Sequence, residues 1–248
     1  MIPSDSPQSL TPDPQSQSPP PVPQSPFWDF SDFFLFVLLA GTSLAVSLLV
    51  GLAFTRLALP LRLLLVQTLW YALAFGALKA ILLLRYERPF WRSLGWRPIS
   101  FSAAAGAILA GPILVVSISI LQFALRSPEI EPPFSQMLGS RGTIVLFGIL
   151  AVILGPIAEE LAFRGFLMPL MIRSLGAAGG IVVTGILFGS SHGYEYQWSW
   201  QYMLLISLVG CAFGWTKYKT QSTLASALMH SAFNLTQFAA FLAQQRSL

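Results

Sequence analysis

Between residues 33 and 243 the sequence is a succession of seven apolar runs, at about 33–55, 61–84, 101–125, 142–172, 177–193, 200–216 and 221–243. Most are near the ~20 residues that a helix needs to cross the hydrocarbon core of a bilayer. In lipid the backbone has to satisfy its own hydrogen bonds, so each run is expected to be helical. The expected fold is therefore all-α, a polytopic transmembrane bundle of about seven spans forming one membrane domain over 29–248. Charge content points the same way. Asp, Glu, Lys and Arg make up 10% of the chain, against roughly 25% in soluble domains. A water-facing globular surface needs more charge than that.

Ahead of the first run, residues 1–28 form a Pro/Ser/Gln-rich tail, with nine prolines and six serines in the first 26 positions. Such a composition buries no core, and a disordered tail of polyproline II character is expected. It has no basic region of the kind that opens a signal peptide. Phe27, Trp28 and Phe30 read as an interfacial aromatic anchor. A single cysteine, Cys211, rules out an internal disulfide and reads as a small buried hydrophobe. The net charge of +4 sits largely in short loops between apolar runs, which suits membrane lipid headgroups and gives no reason to expect nucleic acid as a partner. Arg85, Arg88, Arg92, Arg97, Arg173, Lys217 and Lys219 fall on one side if the spans alternate. Arg56, Arg62, Arg126, Arg141 and Arg246 fall on the other, so a cytoplasmic N-terminus is expected.

With so few ionisable residues, each can be placed. Asp5, Asp13, Asp29 and Asp32 lie in the tail or at its junction, and Glu87, Glu129, Glu131 and Glu195 in connecting segments. The remaining two acids, Glu159 and Glu160, are adjacent and inside the fourth run. An intramembrane carboxylate is costly and marks function by default. Arg164 is four residues beyond Glu160, the spacing of a pair on one helix face, whereas Glu159 points about 100° away and has no local partner. Both histidines also lie in apolar surroundings. His192 closes Phe188-Gly-Ser-Ser-His192, and His230 opens His230-Ser-Ala-Phe-Asn234. Measured by helical rise from the Arg173–Ala178 turn, Glu159 and His192 each lie ~21 Å deep, and His230 lies ~16 Å beyond Lys219. All of these groups can share one polar layer.

A carboxylate and an imidazole beside a buried water form a general-base pair for attack on a carbonyl. His230 and the Asn234 amide can donate to the oxyanion that develops. The chemistry is acyl transfer, most naturally peptide hydrolysis within the membrane. Other mechanisms fit less well. There is no Asp after position 32 for an aspartyl enzyme, and no HExxH for a zinc protease. Ser190 and Ser191 read as helix-packing residues. A zinc site made from Glu159, His192 and His230 is chemically permissible. A proton-coupled transporter would also place Glu, His and Arg at mid-membrane, though related halves with broken helices are not visible. A non-catalytic membrane immunity or interaction protein keeping the same fold is a further alternative.

Glu159-Glu160-Leu-Ala-Phe-Arg164 matches an EExxxR motif, Phe188 to His192 an FxxxH motif, and His230 to Asn234 an HxxxN motif. In this order and spacing they resemble the CPBP (CAAX protease and bacteriocin-processing, or Abi) family, related to the type II CAAX prenyl endopeptidase. The resemblance covers about 140–243, the expected catalytic core. Earlier in the chain, only general hydropathy and the Leu94-Gly95-Trp96 turn match. The resemblance implies a glutamate-dependent intramembrane endopeptidase with no cofactor. In it Glu159 and His192 activate water, His230 and Asn234 form the oxyanion hole, and Glu160 and Arg164 hold the site together. It also implies a membrane-embedded or prenylated peptide substrate, or a peptide-maturation role. A multi-pass protein of a prokaryotic plasma membrane, or of another internal membrane, is expected.

Overall fold

A computed structural model describes residues 26–130 and 138–245; the tail expected to be disordered lies outside these residues except for its last three. The described residues are helical, with no strand among them. Helices α1 (Phe30–Ala53), α2 (Leu59–Tyr86) and α4 (Phe101–Ala124) follow the first three apolar runs, with the single turn α3 (Phe90–Ser93) between α2 and α4. Local chemistry sets their starts. The Asp29 side chain accepts from the backbone N–H groups of Ser31 and Asp32, and Asp32 returns a bond to the Asp29 N–H, a capping box. Pro60 opens α2, where a missing N–H costs nothing, and Ser100 caps α4.

From Arg141 to Ser191 the chain is one 51-residue helical track, shifted in register at two π turns and bent at Gly176. It comprises α5 (Arg141–Ile149), a π turn (Leu150–Leu154), α6 (Gly155–Glu160), a second π turn (Leu161–Leu167) and α7 (Met168–Ser191). Each π turn stands just ahead of a proline, Pro156 or Pro169. A proline in a helix brings no N–H, and its ring crowds the carbonyl four residues back. Widening the preceding turn relieves that crowding, with bonds that reach back five residues: Gly155 N–H donates to Leu150 O and Met168 N–H to Phe163 O. At Gly176 the backbone leaves the helical region altogether, with φ 73° and ψ 174°. The chain doubles back there, bringing the Ile172 backbone to 2.5 Å from where a Cβ of Gly180 would lie. The fourth and fifth runs of the sequence meet at this bend.

Helices α8 (Trp200–Thr220) and α9 (Thr223–Gln245) complete the bundle. Four helical stretches are long and apolar enough to cross a membrane: α1, α2, α4 and the Arg141–Ser191 track. With the bend at Gly176 dividing the track, and with α8 and α9, about seven spans result, as the sequence predicts. Helix α1 packs on α2, α4 on α9, and α7 on α8. The α7–α8 approach depends on small residues, since a Cβ on Gly185 would meet Cys211 Sγ at 2.5 Å. Cys211 is thus a packing residue, as expected.

Two apolar cores result. One gathers Phe36, Leu78 and Leu82 with Leu161, Phe166 and Leu170 of the broken track. The other joins Ala107 of α4, Val209 and Phe213 of α8, and Met229 and Phe233 of α9. The junction before α1 belongs to the first core. Trp28, expected at the interface, is instead 2% exposed. It stacks on Phe166 and donates from Nε1 to Phe166 O at 3.1 Å. Asp32 is also fully buried, ion-paired to Arg85 at 2.5 Å and hydrogen-bonded by the Tyr86 hydroxyl.

Candidate active site

The α6 segment and the second π turn bring the two glutamates and the arginine between the two cores. Glu160 is fully buried and its oxygens are occupied. Oε1 accepts from Arg164 Nη1 at 2.9 Å and from His230 Nδ1 at 3.0 Å, and Oε2 accepts from the Ser226 hydroxyl. Arg164 is equally buried. Its Nη2 donates to Gly210 O at 2.7 Å, and its guanidinium carbon lies 4.5 Å from the Phe188 ring centre and 5.4 Å from that of Phe213. Its Nε–H has no acceptor. The pair predicted from the i, i+4 spacing is therefore formed, and it is more extensively tied than spacing alone implies.

His230 links the two glutamates. Its ring stacks on Phe213 at 4.4 Å, its Nδ1 faces Glu160, and its Nε2 lies 3.8 Å from Glu159 Oε2. The partner of Nδ1 is a carboxylate oxygen, which accepts, so Nδ1 carries the proton. Glu159 differs from its neighbour: its side chain is 29% exposed, and among the described residues His230 is the one ion-pair partner it reaches.

His192 caps α7 at its C-terminus. Its Nδ1 is 2.9 Å from Phe188 O and its ring centre 4.8 Å from that of Phe188, so the FxxxH spacing does place the two on one face. Because a carbonyl only accepts, Nδ1 bears the hydrogen and Nε2 is left as the basic nitrogen. No hydrogen bond or ion pair joins His192 to Glu159 among the described residues.

Asn234 reaches the same neighbourhood from α9, and its contact has a backbone cause. The Gly155 N–H goes to Leu150 O, and Pro156 has no N–H, so Ala151 O is left without a main-chain donor. Asn234 Nδ2 supplies one at 2.8 Å. That bond uses one of the two amide hydrogens.

Three polar residues around the site were not singled out from sequence. Ser226 precedes His230 by four and Asn234 by eight, a polar group on every turn of one face of α9, and that spacing was the available signal. Tyr71, on α2, comes to 3.9 Å from the position a Cβ would take on Gly155, the same distance at which Glu159 Oε1 lies. Glu195, read as a connecting-segment acid, is half-buried in the turn after α7, where it interacts electrostatically with His192 and Glu159; burial raises its carboxyl above the usual range while His192 opposes the rise. Beside the site, a small, mainly apolar cleft runs between α2 and α5, lined by Leu63, Leu64, Gln67, Thr143, Phe147 and Leu150 among others. Among the described residues no three His, Cys, Asp or Glu side chains converge as a metal-ligand set.

Residues 141–236 match the family model described as type II CAAX prenyl endopeptidase Rce1-like. The matched segment holds all six motif residues, Glu159, Glu160, Arg164, His192, His230 and Asn234, so the resemblance read from the motifs holds over this part of the chain. By its description the family is one of endopeptidases. No curated protein and no solved structure matches the chain.

Proposed function

We propose that the protein is an intramembrane endopeptidase in which Glu159 is the base that activates water, and that its substrates are peptides held at the membrane, prenylated CAAX sequences among them. The observation that carries this reading is the inequality of the two glutamates. Glu160 has both its oxygens engaged by Arg164, His230 and Ser226, whereas Glu159 is partly exposed and free to bind a water. A base has to be within hydrogen-bond reach of the proton it takes.

In this mechanism Glu159 takes a proton from water as the oxygen attacks the scissile carbonyl. His192, with Nε2 basic, stands on the other side of the water. When the tetrahedral intermediate collapses, Glu159 returns the proton to the leaving amine. Two donors serve the oxyanion: His230 Nε2–H and the second N–H of Asn234. For His230 this requires both ring nitrogens to be protonated, since Nδ1–H is held by Glu160. With Glu159 and Glu160 ionised and Arg164 charged, that added proton brings the cluster to zero net charge. Glu160 and Arg164 position His230 without touching substrate. The cleft between α2 and α5 suits the apolar part of the substrate, because Gln67 and Leu150 of its wall adjoin the Tyr71–Gly155–Glu159 region.

The test is cleavage of a farnesylated CAAX peptide by the purified full chain in proteoliposomes. Glu159→Gln is expected to reduce kcat by at least about 10³-fold, and EDTA to leave the rate unchanged. Loss of activity in EDTA restored by zinc would replace this mechanism with a metal-dependent one. An active Glu159→Gln would remove the assignment of the base.

A further inference from the structure

Gly155 lies in the wall of the site, and what surrounds it comes from two parts of the chain. A Cβ built on Gly155 would stand 3.1 Å from Leu150 O, 3.9 Å from Glu159 Oε1 and 3.9 Å from Tyr71 Oη. The Tyr71 hydroxyl and the Glu159 carboxylate therefore flank one small space, separated by no more than twice that last distance, and no hydrogen bond joins them directly. A phenol and a carboxylate at such a separation, neither bonded to the other, are placed to share a small polar molecule between them. Gln67, one turn earlier on α2, faces the same hydroxyl. It orients the phenol and connects it to the cleft that Gln67 and Leu150 both line. The Tyr71 ring is held by Trp70 and Phe75, at centroid distances of 5.4 and 6.5 Å, and a phenylalanine would keep both contacts.

We propose that Tyr71 is a further catalytic residue: its hydroxyl donates a hydrogen bond to the water that Glu159 deprotonates, beside Gly155. This rests on the reading of Glu159 as the base. The water then donates to Glu159 and accepts from Tyr71, so its attacking lone pair is oriented and negative charge developing on its oxygen is stabilised. No atom is consumed at Tyr71; the phenol keeps its proton throughout. The residue lies on α2, before the family-matched segment 141–236 begins, so the catalytic apparatus extends beyond the part of the chain that carries the motifs.

The experiment compares wild type, Glu159→Gln, Tyr71→Phe and Gly155→Ala, each as the full chain in proteoliposomes with the farnesylated peptide. Tyr71→Phe is expected to lower kcat on the order of 10- to 100-fold, the worth of one hydrogen bond to a group that becomes charged, with KM within about twofold of wild type by the same argument that the ring contacts persist. Gly155→Ala brings a methyl group within 3.9 Å of both oxygens and 3.1 Å of Leu150 O, and is expected to lower kcat by a similar factor. The KM–kcat split separates this role from a structural one, and thermal unfolding in detergent checks that each variant is folded. An active wild type, an inactive Glu159→Gln and a Tyr71→Phe with unchanged kcat overturn the Tyr71 assignment and leave the base intact. An active Glu159→Gln overturns both. A Tyr71→Phe that raises KM alone makes the hydroxyl a substrate contact and overturns its role toward water.

Discussion

Glu159 and Glu160 are the same side chain at consecutive positions of one helix, yet they belong to different regions of the molecule. On the Glu160 side every polar atom but Arg164 Nε has a protein partner, the aromatic rings of Phe188 and Phe213 exclude water, and the group forms a closed network with Arg164, His230 and Ser226. On the Glu159 side the carboxylate is partly exposed, Tyr71 stands nearby without bonding to it, and a cleft approaches from α2 and α5. The closed region holds geometry; the open one is available to substrate. A buried charge pair adds little net stability over an apolar pair but is costly to break, whereas a partly exposed carboxylate with one loose partner, at the edge of a cleft, is open to a reactant.

Mutations on the two sides are therefore expected to fail differently. Beyond the loss of turnover in Glu159→Gln, which should leave thermal unfolding unchanged, the next largest effect on activity belongs to His192→Ala. That change is expected to lower kcat by roughly 10²-fold or more with an unaltered melting temperature, as for other general-base groups, measured by peptide cleavage and by unfolding in detergent. A melting temperature that falls with activity would move His192 to the closed side. Glu160→Gln should act chiefly on stability, by about 3 kcal/mol, because it leaves the Arg164 charge buried and unpaired. The double change Glu160→Gln with Arg164→Met should recover much of that stability. Should Glu160→Gln remain as stable as wild type while losing turnover, the division between the two sides breaks down. The smallest effect is expected from Ser226→Ala, which removes one of three bonds to Glu160 and should destabilise by about 1–2 kcal/mol, with turnover falling less than about tenfold by the same reckoning.

Much of the architecture was legible in the sequence because hydropathy acts over whole helices. The apolar runs at 33–55 and 101–125 correspond to Phe30–Ala53 and Phe101–Ala124, and the boundary placed between 172 and 177 coincides with the bend at Gly176. The Glu160–Arg164 pair was legible because both partners lie on one helix. What was not legible depends on contacts between distant elements. Asp32 was read as a junction acid, and only the packing of α1 on α2 shows it paired to Arg85 and Tyr86, 53 and 54 residues away. Trp28 looked interfacial because nothing local announces its bond to Phe166 O. Tyr71 and Glu159 are brought together by the side-by-side placement of α2 and α5, which no spacing along the chain encodes. The Asn234 contact has a local cause in Pro156, yet its partner lies 83 residues away.

The π turn ahead of Pro156 has a consequence in angle. A widened turn fits an extra residue into a single circuit, so everything after it is rotated by about one residue's step, ~100°, relative to an unbroken helix. That step is also the angle between two neighbouring side chains. Without the wide turn, the azimuth now held by one glutamate would fall to its neighbour, and the other azimuth would go to Ala158 or Leu161. The phase of a helix, offset by one residue upstream, thus divides the labour between two chemically identical groups.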